Sequence, residues 1–522
     1  MPDQLITDPR RRRLVLVVVA LALMMVVSAV SGLNVALPDL AVATGATQTQ
    51  LQWIVDAYTV VFAGLLLFAG AVGDRYGRRG TLVAGLVVFG AAAAVALVTT
   101  DPQTIIAVRA VMGVGAALTM PTTLSIITTS FPEEERGRAV GLWVGVAGGG
   151  AVLGLFASGL LLQWFSWSSF FALNVTLAVL ALAGTLAFVP GSRDDHPPAL
   201  DALSALLSLI GVSGLVFGII EGPTQGWGDP MVVGALVVGV VALALFVLRE
   251  LRKDSPMLDP RLFTLRGFGT GSASLTVQFF AAFGFFFITL QYLQFVVGLS
   301  PLMSAVCLLP LPFVLIPLAR QAPRLADRFG FRRIASLGLV SMAIGFLVIS
   351  RIQVDLAYWL FAIGLVFFAI GMALAATPAT TAIVRSLPAA KQGVASAVND
   401  TSREFGSAIG IAVLGSVLNS AYRSGMTDAV AGLPDRLAQA ALDSVAFVSY
   451  APLDQLGPRG AALAAAAKQS FVDGVSAAVV VGSVVLLVAA AFVAWRGTDG
   501  SNDAGDGADA AEAAAPGRHT TG

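Results

Sequence analysis

Long apolar windows separated by short, arginine-rich polar breaks run along nearly the whole chain. They recur at 14–37, 51–71, 80–99, 104–129, 138–161, 169–189, 201–221 and 231–249. A second series follows at 268–290, 302–320, 332–351, 357–378, 394–421 and 470–494. Each is near the roughly 20 residues a helix needs to cross a hydrocarbon core. Inside a bilayer only helices and closed barrels satisfy their own backbone polar groups, and apolar runs of this length fit helices. The pattern predicts an all-α polytopic membrane protein with fourteen transmembrane helices. Composition agrees: 57% hydrophobic against 12% charged residues is more apolar than a soluble core absorbs.

The breaks carry the charge that sets orientation. Residues 1–13 end in Arg10–Arg13 and run into the first window, which is too long for a signal-peptide core and is followed by thirteen more windows. It reads as a first span with a cytoplasmic basic amino terminus. Counting on from there, twenty-four Lys and Arg fall on the inner side and five on the outer (Arg351, Arg423, Arg436, Arg459 and Lys468). The positive-inside bias then places both termini in the cytoplasm and the chain in the cell membrane. Two cations, Arg109 and Arg403, fall within spans.

The chain also repeats. Gly73-Asp74-Arg75-Tyr76-Gly77-Arg78-Arg79 after the second window returns as Ala326-Asp327-Arg328-Phe329-Gly330-Phe331-Arg332-Arg333 after the tenth. Pro121 answers to Pro378, Pro132 to Pro388, Gly137 to Gly393, Gly150 to Gly406 and Gly154 to Gly410. The shift of 253–257 residues lays a six-helix half at 14–190 over a second at 268–495, in parallel. A two-helix hairpin at 201–249 is left between them. Such internal repeats are a transporter plan, with the substrate site at the interface near mid-membrane. Within the second half, 422–469 is expected as a long extracytoplasmic loop, partly helical around Pro434–Leu437. Residues 496–522, rich in Asp, Gly and Ala, are expected to be a disordered cytoplasmic tail.

One window carries chemistry. Residues 394–421 hold Asp400, Arg403 and Glu404 near their middle. Each ionised group at membrane depth costs about 2.5–3.5 kcal/mol on insertion scales, so this helix must face other helices or a watery cavity. Asp400 and Glu404 share a face one turn apart, with Arg403 on a neighbouring edge. Two carboxylates out of bulk water repel, which favours a proton on one of them. The only histidines, His196 and His519, lie in a loop and in the tail, so a proton carrier has to be a carboxylate. The lone Cys307 excludes internal disulfides, no metal site is expected, and no phosphate-cradling glycine loop is present. An ATP-driven pump or membrane enzyme is disfavoured on those grounds, and a sensor by the lack of a folded output domain.

The Gly70–Arg79 loop resembles the signature between the second and third spans of the major facilitator superfamily. With Gln52-Trp53-Ile54-Val55-Asp56-Ala57-Tyr58, Asn34-Val35-Ala36-Leu37-Pro38 and Asn399–Gly406, the chain resembles the fourteen-span drug:proton antiporters over about 14–495. The resemblance implies export of amphipathic small molecules in exchange for protons, with Glu404, Asp400 and Asp56 as coupling candidates. It also implies a conformational latch at Asp74, Arg75, Arg78, Asp327 and Arg328. Candidates for the substrate cavity are Asn34, Trp53, Tyr58, Met112, Phe283, Tyr292 and Asn399; for the aromatics of the ninth window, ordinary packing is the competing reading. Ala29 stands where the family carries an acid in the first span, and Leu155 where it carries a proline in the fifth.

Depth suggests the partners. Asp56 and Arg109 each lie five residues into their spans from the outer side, at roughly 7–8 Å, which predicts an ion pair, static or titrating. Arg403 is placed to pair with Asp400. Glu404 has no local cation and lies nearest mid-membrane, so it is expected to be the principal proton carrier. Glu221, before Gly222-Pro223 at the outer end of the seventh span, reads as an interfacial residue. The expected partners are a small amphipathic substrate, protons and the lipid bilayer, with no cofactor, no nucleic acid and a monomeric chain. A dedicated exporter of one endogenous metabolite or antibiotic is the rival reading within transport.

Overall fold

The computed structural model describes residues 6, 8–193, 200–253, 256–388, 392–450 and 457–497, and among these every regular element is helical. The first half comprises α1 (Pro9–Thr44), α2 (Gln48–Tyr76), α3 (Arg78–Val95), α4 (Pro102–Ser130), α5 (Glu133–Leu162) and α6 (Ser169–Phe188). The hairpin is α7 (Ala202–Gln225) and α8 (Pro230–Leu251). The second half comprises α9 (Arg266–Gln291), α10 (Pro301–Cys307), α11 (Pro310–Phe329), α12 (Phe331–Ile349), α13 (Tyr358–Arg385) and α14 (Gln392–Met426). It closes with α15 (Asp435–Asp443), α16 (Val445–Tyr450) and α17 (Pro458–Arg496). Taking α10 and α11 as one crossing, thirteen of these are long and apolar enough to span a membrane, and α5, with its apolar Gly149–Leu162, is the fourteenth.

Local chemistry sets the helix ends. Pro at the first position, where its missing N–H costs nothing, opens α1, α4, α8, α10 and α17. Thr47 caps α2 through a reciprocal pair with Gln50. The repeated Asp-Arg-aromatic-Gly stretch folds into the same turn twice. Gly77 has φ 107° and Gly330 φ 90°, each closing one helix and opening the next. A side chain there would be strained, which accounts for glycine at both sites.

The packing repeats as the sequence does. α1 packs on α5 as α9 does on α14, α2 on α4 as α11 on α13, α3 on α6 as α12 on α17. The tightest crossings use glycine. A Cβ on Gly154 would lie 2.7 Å from that of Ser28, and one on Gly284 would lie 2.6 Å from the Gly410 carbonyl oxygen. Helix axes approach this closely only where side chains are absent. Between the halves, α7 packs on both α2 and α14, while α8 packs on α7 and faces outward.

Two windows and the loop at 422–469 differ from what the pattern predicts. The window at 302–320 is two helices, because Pro310 cannot donate to the preceding turn, and α11 then runs on to Phe329. The last window, 470–494, is the inner part of a 39-residue helix whose alanine-rich start at Pro458 lacks the hydropathy to register as a span. The 422–469 region does contain short helices, α15 and α16, but its first residues belong to α14. Residues 498–522, and hence the expected tail, lie outside the described residues, as do 1–5, 7, 194–199, 254–255, 389–391 and 451–456.

At one end the following long-range hydrogen bonds among the described residues lie within a half. Ile6 N donates to Ser130 O, Arg11 Nε to Phe188 O and Arg78 N to Ser192 O in the first half, and Arg496 Nη2 to Thr264 O in the second. At the opposite end the halves are clasped. Gln294, in the π-helical turn Tyr292–Val296 after α9, donates to Val35 O of α1 at 3.1 Å. Gln52 of α2 donates to Ala412 O of α14 at 3.4 Å, and Asn419 to Thr49 Oγ1 at 3.3 Å.

Candidate functional site

α14 brings its charges to the seam. Asp400 is 8% exposed, and Arg403 lies 4.0 Å from it, at the limit of an ion pair, so the expected Asp400–Arg403 partnership is present but long. The guanidinium is held instead over the Phe279 ring, 4.5 Å from its centroid, and Phe279 stacks on Phe283 at 5.9 Å. Asn399 donates to Thr380 Oγ1 of α13 at 2.9 Å. Glu404 is half-buried, and among the described residues no hydrogen bond or ion pair reaches its carboxylate.

Across the seam stand Asp56, Tyr58 and Arg109, and the Asp56–Arg109 pair expected from depth is not formed. Arg109, fully buried, donates through Nε to Ile54 O at 2.9 Å and lies over the Tyr58 ring at 4.3 Å. Both its terminal nitrogens lack partners. Asp56 accepts from Thr59 Oγ1 at 3.2 Å, and its second oxygen is unpartnered. Rotation explains the miss. At 100° per residue Asp56 lies far round α2 from Ile54 and Tyr58, which face α4, and shares a face with Gln52, which faces α14. Equal depth is not enough; the two groups look in different directions.

The Tyr58 hydroxyl donates to Val26 O of α1 at 3.0 Å, and its ring carries the Arg109 guanidinium, so its described contacts lie within the first half.

The other candidates divide. Met112 and Tyr292 are fully enclosed and do not line an open cavity; the Tyr292 hydroxyl donates to Gln353 O at 2.6 Å. Asn34 is buried and turned back on Val30 O. Trp53 is engaged by Glu221 at 2.8 Å. An aromatic or amide in a span satisfies packing as readily as a ligand, which sequence spacing does not separate. In the loop motif Asp74 pairs with Arg78 at 2.9 Å and accepts from Ser125, while Arg75 is exposed. Its repeat differs: Asp327 pairs with Arg385 at 3.2 Å, and Arg328 lies over Phe329. Gln52 and Gln294, which clasp the halves, carry no charge to mark them along the chain, although Gln52 opens the Gln52–Tyr58 stretch.

A two-fold repeat of long apolar helices, clasped across one end and carrying unpaired charges in its seam, has the architecture of a polytopic membrane transporter. The family model described as Major Facilitator Superfamily matches residues 19–411, and the chain belongs to that superfamily. It is 33% identical over 488 residues to the multidrug efflux pump LfrA of Mycolicibacterium smegmatis, covering 93% of this chain and 96% of that one. It is 34% identical to the puromycin resistance protein pur8 of Streptomyces alboniger, over 81% and 84% of the two chains. The methyl viologen resistance protein SmvA of Salmonella typhimurium is 31% identical over 92% and 97%. Among solved structures, an inward-facing, unoccupied bacterial homologue of the human lysosomal transporter Spinster superposes with a TM-score of 0.64 at 15% identity. It covers 94% of this chain and 97% of that one, a likeness of fold.

Proposed function

We propose that this chain exports amphipathic, drug-like small molecules across the cell membrane in exchange for protons, with Glu404 as the principal proton carrier. The relatives named for efflux and resistance, matched over nearly their whole length, support the export. The observation that carries the coupling is the Glu404 carboxylate on the seam helix α14, half-buried and with no hydrogen bond or ion pair among the described residues. Asp400 lies 4.0 Å from Arg403 and Asp56 accepts from Thr59, whereas nothing among the described residues bonds to the Glu404 carboxylate. With the termini in the cytoplasm, the clasped end is the outer one, and Glu404 exchanges its proton for substrate from the inner side.

One proton moving down 100 mV supplies about 2.3 kcal/mol, enough for roughly a fifty-fold gradient of a neutral substrate exchanged one for one. No cofactor is invoked. Glu404→Gln keeps the shape of the side chain but cannot titrate. In proteoliposomes under an imposed pH gradient it is expected to bind ethidium yet lose accumulation against a gradient. Uphill efflux by this variant would move the assignment to Asp56 or Asp400.

A further inference from the structure

The two halves share a turn at the end away from the clasp, but they do not share its charge balance. In the first half Arg11 and Arg79 donate to the Phe188 and Leu186 carbonyls, and Arg12 and Arg78 pair with Glu135 and Asp74. In the second half α11 carries Arg320, Arg324 and Arg328, each one turn from the next, and α12 follows with Arg332 and Arg333. All five are exposed. Among the described residues none of the five forms an ion pair, and Arg328 has only the Phe329 ring beneath it. The acid of α11, Asp327, is taken by Arg385.

The stripe lies on a bare face and at membrane depth. At 100° per residue Arg320 and Arg324 stand on the side of α11 opposite the buried Ala322, and α11 packs on α12 and α13. Further along the arginine side, Phe313 and Ile316 are 72% and 51% exposed. From the Gly330 turn α12 returns beside α11 and is apolar from Ile334 onward. Arg324 and Arg320 are therefore level with Ser336 and Val340, where the neighbouring helix has already entered hydrocarbon. Like charges one turn apart repel, and a cation at that depth must reach back to the headgroup layer or draw an anion to it. A phosphodiester that carries acyl chains meets both demands. Its oxygens fit the planar guanidinium fork, and its chains cover the apolar residues beyond.

We propose that this end of α11 binds an anionic phospholipid, its phosphate held by Arg320, Arg324 and Arg328 and its acyl chains laid along Phe313 and Ile316. The lipid supplies in the second half the counter-charge that carbonyls, Glu135 and Asp74 supply in the first. A soluble anion satisfies the arginines but leaves Phe313 and Ile316 uncovered, and a zwitterionic lipid brings no net charge. The binding depends neither on what the chain exports nor on its proton carrier.

Native mass spectrometry of the full chain in detergent tests this, with phosphatidylglycerol as the probe and phosphatidylcholine of the same acyl chains for comparison. The protein should retain phosphatidylglycerol at concentrations where phosphatidylcholine is lost. Arg320→Gln combined with Arg324→Gln should weaken phosphatidylglycerol binding about thirtyfold, and less as salt is raised. Arg320→Lys with Arg324→Lys keeps the charge without the fork and should lose only a few-fold. Arg10→Gln with Arg13→Gln removes two exposed cations at the same end of the first half and should leave the binding unchanged. Added phosphatidylglycerol should also raise the unfolding temperature of the unaltered chain but not that of the Arg320→Gln, Arg324→Gln variant. Glycerol 3-phosphate, which has the phosphate without the chains, should not compete. The proposal is overturned by equal retention of the two lipids or by phosphatidylglycerol binding indifferent to Arg320→Gln with Arg324→Gln. An equal loss on Arg10→Gln with Arg13→Gln, or displacement by glycerol 3-phosphate at matched concentration, overturns it as well.

Discussion

Arg109 is buried at the centre of the first half with one hydrogen bond, to Ile54 O, one ring contact and two unsatisfied terminal nitrogens. A charge in that position is expensive to hold, and replacing such a group by an apolar one of similar length is often neutral or stabilising. We therefore expect Arg109→Met to leave the unfolding temperature of the purified protein unchanged or higher. Ethidium efflux should fall by about tenfold or more, a loss of roughly 1.4 kcal/mol of driving interaction. A parallel fall in thermal stability would mean that the arginine is there to hold helices together. At this scale the sequence was legible in residue type but not in direction. That Asp56, Arg109, Asp400, Arg403 and Glu404 lie inside apolar windows follows from the sequence. Which of them meet depends on helix rotation and on the neighbouring helix, and nothing along the chain states either for α2 and α4.

Among the elements, the glycine crossings offer the sharpest contrast. A Cβ on Gly410 would fall on the Phe280 backbone of α9, whereas one on Gly141 of α5 meets nothing within 4 Å. Overpacking of a close contact typically costs about 1–3 kcal/mol, and Ala in an open helical position gains about 0.5–1 kcal/mol over Gly. Gly410→Ala should lower the unfolding temperature in detergent, and Gly141→Ala should hold or raise it. If the two behaved alike, the α9–α14 contact would be looser than its geometry. The helices themselves were readable from hydropathy wherever the run was uniformly apolar. The exceptions have local causes: Pro310 divides one window, and the alanine-rich first turns of α17 form helix without being apolar enough to register. The short amphipathic α15 was foreshadowed by Pro434-Asp435-Arg436-Leu437, a helix start after proline.

For the whole molecule, the repeat seen in the sequence returns as a repeat of helix pairings, and the hairpin lies across the seam with α7 touching both halves. Orientation follows from the arginines. A reporter enzyme active only in the cytoplasm should be active when fused behind Gly497 and silent when inserted at Gly432, between α14 and α15. The reverse pattern would put the clasped end inside and invert the proposed direction of proton flow. The backbone-to-backbone crossings of α1 with α5 and of α9 with α14 have a mechanical consequence. Helices interlocked through glycines have little room to slide, so each pair should behave as one stiff lever. The change between access states then falls to the seam, where α2 meets α14 through a few long hydrogen bonds from side-chain amides and α7 rides over both. On this view the inserted hairpin is the bearing on which the two levers turn, and its α8 face is left free for lipid.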